Sequence, residues 1–82
     1  MTEKILFFSH PRCPYCPKAE EVLKEMGLQY EKISLDTSEG TRLAESYGIM
    51  ALPTIIIENG HGIEKISGYS SMLKEKIKKA FS

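Results

Sequence analysis

The sequence predicts an α/β domain of order β-α-β-α-β-β-α, a mixed four-stranded sheet flanked by three helices. Three observations predict it. An apolar, β-rich stretch is followed by apolar residues at helical spacing and then by a second strand-length stretch, which implies a parallel pair with a right-handed crossover. Two further strand-like stretches flank Asn59-Gly60-His61-Gly62, a hairpin signal that adds antiparallel strands. The chain then closes on a single amphipathic stripe.

Each element follows from its own residues. Residues 3–9, EKILFFS, are β-rich and apolar and suit a central strand buried on both faces. From Cys16 the apolar positions Cys16, Ala19, Val22, Leu23 and Met26 recur at helical spacing, and Gly27 supplies the stop. Residues 29–35, QYEKISL, alternate only loosely through Tyr30, Ile33 and Leu35, but their length and bounds favour a strand. Residues 36–48, DTSEGTRLAESYG, open with Asp36 and Glu39 at capping-box spacing and end at Gly48, a short helix with Leu43, Ala44 and Tyr47 inward. Residues 54–68, TIIIENGHGIEKISG, read as the hairpin. Residues 70–81, SSMLKEKIKKAF, start at a Ser N-cap and repeat Leu73, Ile77, Ala80 and Phe81.

The 82 residues are expected to form one domain over 1–82, since they are too few for two cores. Hydrophobic residues make up 41% and charged residues 27%, the composition of a soluble globular domain. With 11 basic and 11 acidic residues the net charge is 0, and nothing calls for nucleic acid or a membrane surface. No signal peptide or spanning segment is expected, as the longest apolar runs are strand-sized. Two cysteines three apart do not make the framework of a secreted mini-protein. A cytoplasmic location is expected, and the cysteine pair needs a chemical explanation.

Cys13 and Cys16 sit where the first strand gives way to the first helix. Exposed N–H groups and the helix dipole favour an anion there, so Cys13 is expected to hold a stabilised thiolate. Arg12 adds a neighbouring positive charge. Lowering a thiol pKa from about 8.5 to about 6 needs roughly 3.4 kcal/mol. The dipole supplies at most about 2 kcal/mol, so direct N–H···S bonds must supply the rest. Pro14 has no N–H, leaving Tyr15 and Cys16 as donors. Cys13 would attack a partner disulfide and Cys16, one turn on and more buried, would resolve the mixed disulfide. With Cys13 as N-cap, Pro17 would disturb the first turn. A zinc site would need both thiolates with His10 and His61, converging from a loop and a hairpin tip, and is the weaker reading.

The motifs around the pair are recognisable. Cys13-Pro14-Tyr15-Cys16 after a strand resembles the active-site motif of dithiol glutaredoxins. Residues 47–54, YGIMALPT, followed by Asn59-Gly60 and Gly68, resemble thioredoxin instead. The resemblance implies the minimal thioredoxin/glutaredoxin fold, with Pro53 cis and facing the cysteines. Leu52 would offer its N–H and C=O to a substrate in a short β-like contact. Tyr15, Met50, Ala51 and Pro53 would form an apolar rim around Cys13, although Met50 reads nearly as well as a loop residue packed on the core. The departures bear on the reductant. His10 stands where glutaredoxins usually have Lys, and Ala51-Leu52-Pro53 where they have T-V-P. Ser67-Gly68-Tyr69-Ser70-Ser71 replaces G-G-x-x-D, losing the carboxylate that holds the glutathione amino group. Thioredoxin features are also missing: Arg12 replaces its Trp, and Phe7 its buried Asp.

The resemblance therefore implies a hybrid, glutaredoxin-like redoxin: a thiol–disulfide oxidoreductase carrying electrons to a disulfide-containing client. It would bind no cofactor and act as a monomer recharged by a thioredoxin reductase-type enzyme. One alternative is a glutathione-dependent glutaredoxin. Another, of a different class, is a metal or iron–sulfur carrier with Cys13 as ligand in a dimer. The remaining features read as ordinary surface. His10 caps its loop rather than shuttling a proton, and His61 is turn chemistry. Lys74, Lys76, Lys78 and Lys79 against Glu75 complement a helix C-terminus. Glu20 and Lys24 form an i,i+4 pair.

Overall fold

The strand Lys4–Ser9 (β1) is buried along its whole length from Ile5 onward, and that single fact dictates the layers. In a computed structural model describing residues 4–60 and 62–81, β1 is followed by α1 (Cys16–Glu25), β2 (Glu31–Ser34), α2 (Ser38–Ser46), β3 (Thr54–Asn59), β4 (Gly62–Ser67) and α3 (Leu73–Phe81). The sheet order is β2-β1-β3-β4, with β1 parallel to β2 and antiparallel to β3. The predicted element order and mixed four-stranded sheet are both present. Strand alternation sends Ile5 and Phe7 to one face, where Ala19 and Leu23 of α1 and Leu73, Ile77 and Ala80 of α3 cover them. Leu6 and Phe8 point to the other, against Ile33, Ile56 and Ala44 of α2.

Several boundaries differ from the sequence reading, each for a local reason. Helix α1 begins at Cys16, with Tyr15 rather than Cys13 as N-cap. Pro17 is then the second helical residue, where its missing N–H is one of the orphans and leaves the first turn undisturbed. Strand β2 is shorter than predicted, since β1 offers it partners only from Leu6↔Glu31 to Ser9↔Ser34. Helix α2 is capped by Thr37, whose Oγ1 accepts from the Gly40 N–H at 2.9 Å, and not by Asp36. Asp36 accepts from the Ser34 hydroxyl. Ser70 accepts from the Met72 N–H at 3.2 Å, a turn that precedes α3 rather than its cap. The stops are as expected, with Gly27 (φ 70°) and Gly48 (φ 67°) left-handed just past their helices. His61, Glu3 and the side chain of Phe81 lie outside the described residues.

Leu43, expected inward, is exposed. The inward stripe of α2 is instead Gly40 and Ala44, one turn apart. A methyl on Gly40 would lie 1.9 Å from the Ser34 carbonyl oxygen. The helix lies this close because its contact face has almost no side chain, and a Leu would not fit there. Gly40→Ala must therefore push α2 off the end of β2. The expected cost is about 3 kcal/mol in urea unfolding, while Glu45→Ala on the exposed face should stay within about 0.5 kcal/mol.

Candidate active site: a disulfide between two clefts

Strand β1 ends at Ser9, and the chain turns at once. His10-Pro11-Arg12-Cys13 is a β-turn closed by the Cys13 N–H donating to the His10 carbonyl at 2.9 Å, with Pro11 at the position where its fixed φ suits the turn. The Arg12 N–H donates to His10 Nδ1 at 3.1 Å, which gives the imidazole its loop-capping role. Cys13 and Cys16 are joined in a disulfide with Cα atoms 5.4 Å apart. Cys13 is half-buried and Cys16 only 4% exposed, set against Ala19 and Leu23 in the α1 core. Although Cys13 precedes the helix by three residues, its bond to the first helical residue holds its sulfur at the first turn. The Tyr15 N–H has no hydrogen-bond partner among the described residues.

Two clefts meet at Cys13. The outer one, about 430 Å³, is lined by His10, Arg12, Cys13, Pro14, Leu35, Met50, Ala51 and Leu52. Met50 is 97% exposed, so it is not packed on the core. The Leu52–Pro53 peptide is cis, as the resemblance implied. Hydrogen bonds hold the loop on either side of Leu52: Thr54 Oγ1 donates to the Ala51 carbonyl, and the Gly68 N–H donates to the Pro53 carbonyl at 2.7 Å. Leu52 itself has neither backbone group paired among the described residues. The expected rim is only partly assembled. Met50 and Ala51 line the cleft, but the Pro53 side chain is fully buried. Tyr15 turns away to stack on Tyr69, ring centroids 6.0 Å apart and planes 9° apart, with Lys18 Nζ over its ring at 5.6 Å. Tyr69 was not among the sequence-derived site residues; nothing local in Gly68-Tyr69-Ser70 marks it as Tyr15's partner.

The inner cleft, about 390 Å³, reaches both cysteines from the side of β2. Its walls include Phe7, Ser9, His10, Glu20, Lys32 and Ser34. Glu20 does not pair with Lys24. Its carboxylate accepts from Tyr30 Oη at 2.6 Å and from Lys32 Nζ at 3.2 Å. The reason is in the register: Lys32 pairs with Phe7, whose side chain faces α1, and Tyr30 shares that face two residues back. The Tyr30 hydrogen bond holds the Glu20 carboxyl below its usual range, against an opposing effect of burial and with help from Lys32. Tyr30 is pushed up to about 12, by burial first and by Glu20 second.

The glutaredoxin family model matches residues 5–63. The chain belongs to the glutaredoxin family. Relatives of this glutaredoxin-family domain carry both names. It is 45% identical over 58 residues to a thioredoxin of Methanocaldococcus jannaschii, covering 66% of this chain and 68% of that one. It is 34% identical over 65 residues to glutaredoxin-C2 of Arabidopsis thaliana, covering 73% and 59%. The chain thus spans about two thirds of the length of the curated relatives it matches. Its fold superimposes on oxidised thioredoxin O2 of Arabidopsis thaliana with a TM-score of 0.84 at 17% identity, covering 98% of this chain and 76% of that one. Family and cysteine pair together give this glutaredoxin-family domain dithiol–disulfide oxidoreductase chemistry.

Among the described residues, no group of three or more His, Cys, Asp or Glu side chains is placed to hold a metal ion. No helix among them is long and apolar enough to cross a membrane. His61, weighed as a zinc ligand, lies outside them. Because the folded state depresses the Glu20 pKa, the stability this group contributes is present above its unfolded value, near 4.5, and is lost as pH falls through the folded value. Urea unfolding between pH 6 and 3 should therefore show stability falling less steeply in Glu20→Gln than in the natural chain.

Proposed function

We propose that this protein is a small electron carrier that reduces disulfides in client proteins and is recharged by a thioredoxin reductase-type enzyme rather than by glutathione. Cys13, the accessible sulfur, attacks the client disulfide. Cys16, buried and one turn on, then resolves the mixed disulfide and releases the reduced client. The unpaired Tyr15 N–H, the start of α1 and the Arg12 charge favour a thiolate at Cys13. The free backbone groups of Leu52, beside the outer cleft, suit a short β-like contact with an extended client segment. The chain uses its own disulfide as its redox group, works as a monomer, and fits a reducing compartment such as the cytoplasm, since it carries two cysteines and no wider framework.

One observation carries the choice of reductant. Residues 67–72, where a tripeptide's amino group would need a carboxylate, hold Ser, Gly, Tyr, Ser, Ser and Met. A neutral Ser71 supplies no ion pair, and Tyr69 is committed to its stack on Tyr15. The test offers the oxidised protein two reducing systems. NADPH with thioredoxin reductase should turn over at least tenfold faster than glutathione with glutathione reductase. The reverse ranking makes this a glutathione-dependent glutaredoxin. A Cys16→Ser variant should accumulate a mixed disulfide through Cys13; failure to trap one would overturn the order of attack.

A further inference from the structure

The outer cleft carries an apolar side chain that the fold does not use. Met50 lines this cleft and is 97% exposed, whereas Ile49 before it packs against the Leu6 and Phe8 core. A thioether left this far in water adds no burial to the native state. We propose that Met50 is an oxidation site: hypohalous acids or peroxides convert its thioether to the sulfoxide, which closes the outer cleft to apolar client segments. The inference rests on the reading given above, in which Cys13 attacks first and the client docks beside Leu52.

The neighbours of Met50 hold it outward. The Ile49 N–H donates to the Ala44 carbonyl at 2.9 Å, Lys65 Nζ donates to the Gly48 carbonyl at 3.2 Å, and Thr54 Oγ1 donates to the Ala51 carbonyl. Met50 therefore stands between anchored residues, and Ile49 takes the place on the core. Leu35, Ala51 and Leu52 continue the apolar lining beside Cys13. A flexible, polarisable thioether adapts to apolar side chains of different shape. Its sulfoxide is polar, and burying that oxygen against a client's apolar side chain is costly.

The other sulfurs among the described residues are less available. Cys13 and Cys16 are joined to each other, and Cys16 is only 4% exposed. Met26 is half-buried at the end of α1, packed against the core. Met72 is 55% exposed in the turn before α3 and does not line the outer cleft. Oxidation follows access, so Met50 is converted ahead of Met72, and Met72 ahead of Met26. Of the three, Met50 is the one whose change of polarity falls beside Cys13.

The step balances. With hypochlorous acid, the Met50 sulfur forms a bond to oxygen as the oxygen–chlorine bond breaks. The sulfur loses two electrons, chloride leaves with them, and the proton passes to water. With hydrogen peroxide the oxygen–oxygen bond breaks and water leaves instead. The disulfide takes no part, so the carrier keeps its redox group and loses its hold on apolar clients. Sulfoxide reductases, one for each epimer, return the thioether.

The test treats the disulfide form with one equivalent of hypochlorite, quenches with free methionine, then reduces with dithiothreitol and desalts. Peptide mass analysis should find oxygen on Met50 before Met72 and Met26. The probes are two peptides, each carrying its cysteine as a mixed disulfide with 5-thio-2-nitrobenzoate, flanked by leucines in one and by serines in the other. Release of the coloured thiolate reports attack by Cys13. Before treatment the leucine peptide should react about tenfold faster than the serine peptide. After treatment that preference should fall to about twofold or less, and the two sulfoxide reductases should restore it. Met50→Leu, compared with itself before and after treatment, should keep its preference. Oxygen appearing first on Met72 or Met26, no preference before treatment, a preference that survives oxidation, or an equal loss in Met50→Leu would overturn the proposal. Cys16→Ser with 5,5′-dithiobis(2-nitrobenzoate) separates this from the reading beneath it. If that variant releases its equivalent of coloured thiolate, a failed peptide result removes Met50 alone, whereas no release removes the order of attack as well.

Discussion

The double-sided burial of β1 is the constraint from which the rest of the molecule follows. Ile5 and Phe7 face α1 and α3, and Leu6 and Phe8 face α2, so no position between Ile5 and Phe8 can hold an uncompensated polar group. The strand must lie inside the sheet, flanked by β2 and β3, and both helical layers must be present. Polar chemistry can emerge only where β1 ends. There the turn at His10–Cys13 exposes one sulfur, while α1, docking on the Ile5 and Phe7 face, takes the other into the core as its first residue. The unequal exposure of the two cysteines is thus a consequence of packing.

The same constraint explains where charge is found near the disulfide. With Phe7 fully buried under Cys16's side of the sheet, a carboxylate cannot be delivered from β1. It arrives instead from α1, and β2, the edge strand, supplies the partners that make its partial burial tolerable. Tyr30 packs edge-on against Phe7 with centroids 5.9 Å apart while its hydroxyl holds Glu20. One side chain therefore covers the core ring and anchors the ion. The arrangement leaves the apolar centre intact and places a fixed negative group at the mouth of the inner cleft.

The fold was legible because its signals are periodic and local. Helical spacing from Cys16, the glycine stops and the Asn-Gly hairpin each act within a few residues, and all point to the same topology. What was misread depends on contacts between elements. Asp36 and Thr37 are both good caps, and the choice between them is made by Gly40 docking on Ser34. Leu43 looks like an inward residue by pattern, yet it is exposed because the close approach of α2 admits only Gly40 and Ala44. Within the site, the cysteines and the cis proline stand out in the sequence. Glu20 does not, because Lys24 is the obvious partner on its own helix, and the true partners come from a strand whose register the sequence leaves open. The spacing of Tyr30 and Lys32, two apart on one strand face, was the available signal.

Relatives named glutaredoxin and relatives named thioredoxin both match this chain, and the segments around its disulfide are held by different parts of the fold. The Cys-Pro-Tyr-Cys turn joins β1 to α1, with Tyr15 stacked on Tyr69. The Ala51–Pro53 loop depends on β3, and residues 67–72 on β4 and α3. The Gly68 N–H on the Pro53 carbonyl and the stack of Tyr69 on Tyr15 are among the contacts that join these segments. Neither contact involves residue 71, so a serine there is compatible with the fold and the disulfide. The loops around the disulfide can therefore vary one at a time while the cysteine pair stays placed by the strand and helix beneath it.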